Sequence, residues 1–143
     1  MPASAAEAAQ ETESGNARQP GFGYIRLSLL LLGFLFAVCV AIQVFLAGMA
    51  LFVNPSHWKA HSTFIHYFEM LPVGMFILTY FGRVRGAVRW FSLVMTALIA
   101  LQYATVHMSQ VAPIFSALHP VFALLLFWTS VVTVKRAYAV WRS

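Results

Sequence analysis

The chain has 143 residues, 61% of them hydrophobic and 9% charged, and a formal net charge of +5. Soluble domains carry about a quarter of their residues as Asp, Glu, Lys or Arg, so this composition, with a mean hydropathy of +0.78, excludes water as the main solvent. A pI near 9.9 does not point to nucleic acid, because the basic residues flank apolar runs instead of forming one polar face.

Residues 1–22 are mostly small and polar. They cannot bury enough apolar surface to offset the entropy of ordering, and they read as a disordered cytoplasmic tail. They lack the basic start and short apolar stretch of a cleaved signal peptide. The remainder, 23–143, reads as one four-helix transmembrane domain.

No charged residue occurs from Leu27 to Val53, more than the ~20 residues a helix needs to cross the hydrocarbon core. Asn54 and Pro55 end this first span, predicted over 27–53. The second is predicted over 61–81, ending at Gly82. The third covers 90–111, with Pro113 at its exit, and the fourth covers 118–135, stopping at Lys135 and Arg136. The expected fold is therefore all-α, an integral membrane antiparallel four-helix bundle of up-down topology.

Basic residues set the expected orientation. Arg18 and Arg26 precede span one, Arg83, Arg85 and Arg89 lie between spans two and three, and Lys135, Arg136 and Arg142 follow span four. The other two links hold only Lys59. The positive-inside bias then places both termini in the cytoplasm of a cell with an inner (plasma) membrane as the host bilayer. The lone Cys39 reads as a small apolar packing residue.

The two halves resemble one another. Ala-Ile-Gln at 41–43 matches Ala-Leu-Gln at 100–102, and Gln43 and Gln102 precede His61 and His119 by 18 and 17 residues. Two helical hairpins so related would set His61 and His119 at similar depth across a pseudo-two-fold axis. All five histidines, His57, His61, His66, His107 and His119, fall in the outer loops or outer halves of the spans. Ionisable residues at membrane depth are costly and face the bundle interior or a cavity.

Axial ligation of haem iron keeps imidazole neutral and satisfied, so His61 and His119 are the expected metal ligands of a b-type haem near the outer face. His66 lies about 140° round a helix from His61, so it serves either as an alternative ligand or as a partner of Glu69. Gln43 and Gln102 line the same region, and Lys59 is placed to neutralise a propionate. Glu69, the only acidic residue in the spans, is a candidate proton acceptor. Pro120 is expected to make His119 the cap of span four.

The segments IQVFLAG, HWKAH and LHPVFALLLFW resemble an uncharacterised family of small bacterial four-span membrane proteins, over residues 24 to 138. That resemblance implies architecture without an activity. A more remote likeness is to one half of haem A synthase, where a Gln-bearing helix precedes a helix that opens with a haem-ligating histidine. It places His61 and His119 at the ligand positions. Ser62 stands where that family has a basic residue, the outer loop has no cysteine pair, and one bundle replaces two.

Three functions are consistent with these residues. A haem protein would serve electron transfer, with quinone or a larger membrane complex as partner, or would serve haem handling. A non-catalytic subunit would pack through Gly and Ala faces. A small ion or proton transporter would use Glu69.

Overall fold

The computed structural model describes residues 20–142, with side chains from Gly23 onward. Of the tail predicted over 1–22, residues 1–19 lie outside them, and residues 20–22 belong to the first helix. Six α-helices and two 3-10 turns make up the described chain, and no strand occurs among these residues. Helix α1 is Pro20–Phe52, α2 is His57–Phe64, α3 is Leu71–Phe81, α4 is Ala87–His107, α5 is Pro113–Ser116 and α6 is Leu118–Arg142. Turns Ile65–Tyr67 and Met108–Gln110 are 3-10. Four helical units are long and apolar enough to cross a membrane: 23–52, 57–81, 87–110 and 113–142.

Helix α1 runs for 33 residues, about 50 Å at 1.5 Å per residue. Its apolar residues cover every face, the pattern of a helix that meets lipid as well as protein. The fourth unit continues to Arg142, beyond the expected stop at 135. Lys135 and Arg136 end the apolar stretch, but both are good helix formers and do not end the helix.

The second unit is not one continuous helix. Phe68 leaves helical geometry at φ −133°, and Pro72 occupies the first turn of α3. A proline at 72 donates no amide hydrogen and would crowd the carbonyl of residue 68, so the helix restarts there. The break sets Glu69 in the gap between two helical segments.

Helix α1 packs on α6, α6 on α4, α4 on α3, and α1 on both α2 and α3. The shared core holds Phe36, Val40, Met75, Val88, Met95 and Leu126. Phe36 meets Phe68 edge-on at 5.7 Å. Buried Thr79, Ser92, Ser130 and Thr133 donate to carbonyls of their own helices, at 2.6, 2.9, 2.6 and 2.7 Å. These short side chains permit close helix contact without an unsatisfied polar atom. Leu31, Phe34, Phe45, Leu124 and Trp128 point outward. Such a surface suits lipid contact and would be an association hazard in water.

The exit of α3 departs from the usual glycine rule. Val84 N–H donates to Thr79 O at 2.9 Å and Arg83 N–H to Tyr80 O at 3.2 Å. This is a Schellman cap, whose left-handed residue is usually glycine. Here Arg83 takes that place at φ 51°, the only non-glycine with positive φ among the described residues. A side chain there costs about 1 kcal/mol. Glycine stands one position earlier, at Gly82, where a Cβ would meet Ile25 Cγ2 at 2.8 Å.

Candidate functional site

Each glutamine of the internal repeat binds the histidine paired with it. Gln43 lies on α1, and its Nε2 donates to His61 O on α2 at 2.8 Å. In return, His61 Nδ1 lies 3.0 Å from Gln43 O. A carbonyl only accepts, so Nδ1 carries the hydrogen and His61 Nε2 keeps its lone pair.

In the second half, the Gln102 amide clips onto the first turn of α6. With its oxygen facing Ala123 N at 2.8 Å, its nitrogen lies 3.0 Å from His119 O and 2.8 Å from His119 Nδ1. The amide orientation is assigned from these partners. Thr105 Oγ1, which donates to Gln102 O at 2.8 Å, stands 3.2 Å from the same Nδ1. In this orientation His119 Nδ1 accepts from the Gln102 amide and Nε2 carries the hydrogen. For Nδ1 to donate to the Thr105 hydroxyl and leave Nε2 bare, the Gln102 amide must turn its nitrogen away from the ring.

The two rings meet. The centres of His61 and His119 are 6.4 Å apart, with planes inclined at 57°. Trp58 stands edge-on to His61 at 5.5 Å and walls one side of the pair. His119 lies within the first turn of α6, not at its cap as Pro120 suggested. The first amides of a helix have no intrahelical partner, so a proline in that turn breaks no bond. Gln43 Oε1 is buried beside this site and has no hydrogen-bond partner among the described residues.

Glu69, His66 and Tyr103 form a second cluster. The Tyr103 hydroxyl donates to Glu69 Oε2, His66 Nδ1 lies 3.3 Å from Glu69 Oε1, and 3.3 Å also separates the Tyr103 hydroxyl from His66 Nδ1. The His66 and Tyr103 rings stack at 6.3 Å with planes 21° apart. His107 Nδ1 lies 2.9 Å from Tyr103 O.

The structure thus gathers Gln43, His61, Gln102 and His119, and directs His66 to Glu69. Lys59 is exposed on α2. Two residues were not singled out for this site in the sequence: Thr105 and Trp58. Thr105 follows Gln102 by three positions, and Trp58 precedes His61 by three. Helical spacing alone marks both as facing those residues.

The described residues thus define a small all-helical protein, with four units able to cross a bilayer and a paired Gln–His motif at one end. Over residues 43–109 the chain is similar to a family of unknown function, DUF6220. That match spans Gln43, His61, Glu69 and Gln102 and stops before His119. No curated protein and no solved structure matches the chain.

Proposed function

We propose that this chain is a membrane haem protein, with His61 and His119 as axial ligands of a b-type haem. The 6.4 Å separation of the two rings carries the reading. Imidazole nitrogens bind a transition metal at about 2 Å, and the ring centre lies roughly 1 Å beyond, so two rings on opposite sides of one ion sit about 6 Å apart. Among the described residues no group of three or more His, Cys, Asp or Glu is placed to hold a metal. Two protein ligands suit an ion whose other four ligands come from a macrocycle, and not a tetrahedral zinc site.

Haem bound there would supply one-electron chemistry, with quinone or a membrane complex as redox partner. The residues around it have separate tasks. Gln43 O fixes the His61 tautomer and ring direction, as outer-shell carbonyls do for metal-bound histidines. Thr105 accepts the His119 Nδ1 hydrogen in the ligating tautomer. Trp58 covers His61.

Contacts at each end support antiparallel neighbouring helices. Ile25 meets Gly82, and Arg26 Nη1 donates to Val140 O at 3.4 Å, at one end. Gln43 meets His61 at the other end. With the basic residues gathered at the first end, the positive-inside bias supports an up-down bundle with both termini cytoplasmic in a plasma membrane.

The test is haem content. Full-length protein expressed with haem supplied should purify with about one extractable b-type haem per chain or per assembled site. Protein that stays haem-free after reconstitution contradicts the proposal. Transport through Glu69 has less support: Glu69 is the only acidic residue among those described, and the buried hydroxyls toward the far end bind their own helices.

A further inference from the structure

At the end of the bundle away from the histidines, Tyr80, Arg83, Arg85 and Arg89 line an open cleft of about 680 Å³. We propose that this cleft binds the phosphate of an anionic phospholipid headgroup.

The cleft is built in advance of any ligand. Arg89 lies over the Tyr80 ring, its Cζ 4.0 Å from the ring centre. Its Nε donates to Thr79 Oγ1 at 3.2 Å and a terminal nitrogen to Thr79 O at 3.5 Å. Thr79 is fully buried, so the guanidinium is fixed to the core, with donors left over. A guanidinium held in one orientation loses less entropy on binding phosphate and offers it planar, paired donors.

Arg83 supplies a second, independent observation. It occupies the left-handed cap position at φ 51°, where glycine would relieve the backbone. The turn brings its side chain into the lining of the cleft beside Arg85 and Arg89. The chain uses glycine next door at Gly82, for the approach to Ile25, and keeps arginine at the turn.

Charge selects the ligand. Among the described residues the only carboxylate is Glu69, which is held by Tyr103 and His66. None of the described residues lining the cleft is acidic. Its position between the second and third membrane units, at the end where basic residues collect, puts it at headgroup level. Basic pockets between transmembrane helices on the cytoplasmic side take anionic lipid headgroups.

The test titrates phosphatidylglycerol and phosphatidylcholine into the detergent-purified full chain and follows thermal stability and binding. Phosphatidylglycerol should bind at least tenfold more tightly. Arg85→Gln should weaken it about fivefold, and Arg83→Gly, which suits the left-handed turn, should weaken it without loss of folding. Lys135→Gln with Arg136→Gln, on α6, should leave the preference intact. An equal loss in that control would show diffuse surface attraction and overturn the site. Displacement by millimolar inorganic phosphate would assign the cleft to soluble phosphate esters and overturn the lipid. Equal binding of the two lipids would also overturn it.

Discussion

Gln43 and His61 grip one another twice: the amide donates to the His61 carbonyl at 2.8 Å, and the imidazole Nδ1 lies 3.0 Å from the Gln43 carbonyl. The first contact depends on the Gln43 side chain, the second only on its backbone. A substitution at Gln43 therefore keeps the His61 tautomer and loosens the helix that carries it. Gln43→Ala is expected to cost about 1 kcal/mol of stability and to weaken haem binding roughly tenfold. Chemical unfolding and haem titration measure the two effects separately.

In the proposed haem site Thr105 would accept the hydrogen of His119 Nδ1, from which its Oγ1 stands 3.2 Å. Thr105→Val keeps the shape and removes the hydroxyl, leaving the Gln102 amide to favour the opposite tautomer. Haem affinity should fall by about ten- to a hundredfold, with helical content unchanged by circular dichroism. An unchanged affinity would remove Thr105 from the account of His119.

The Glu69 cluster joins the break in the second membrane unit to α4. Glu69→Gln keeps size and an acceptor oxygen but loses the charge-assisted bond, and Tyr103→Phe removes the donor. Each should destabilise by about 1–2 kcal/mol. The double substitution should cost less than their sum, by about 1 kcal/mol of coupling. Strict additivity would mean that the contact contributes nothing.

Two glycines give opposite expectations. A Cβ at Gly82 would lie 2.8 Å from Ile25 Cγ2, whereas nothing lies within 4 Å of one at Gly74. Gly82→Ala should therefore destabilise by about 1–3 kcal/mol. Gly74→Ala, within α3, should be neutral or stabilising by up to about 1 kcal/mol. Thermal midpoints of the two variants check the pair.

Much of this arrangement is legible in the sequence, and the parts that are not have physical reasons. The absence of charge from Leu27 to Val53 marks the first unit directly, because lipid tolerates so few alternatives. The repeat of Gln43–His61 in Gln102–His119 points to two paired histidines because a short link brings each glutamine back to its own histidine. The break at Phe68 escapes a reading based on hydropathy, since Phe68, Met70 and Leu71 remain apolar through it. Pro72 was the available signal. The left-handed Arg83 is invisible for a similar reason: glycine propensity draws attention to Gly82, whose role is close packing. The sequence offers Gln43, Gln102 and Tyr103 as partners of Glu69, and the choice of Tyr103 depends on how α3 and α4 meet, which spacing along one helix does not set.

In the proposed site His61 and His119 ligate one iron from opposite sides. The most direct measurement is the visible spectrum of the haem-loaded protein, oxidised and dithionite-reduced, beside His61→Ala, His119→Ala and His57→Ala. Two axial imidazoles predict a low-spin spectrum with a sharp reduced α-band in the wild type and in His57→Ala, lost in each of the other two. A spectrum unchanged by either His61→Ala or His119→Ala would contradict the paired-ligand account.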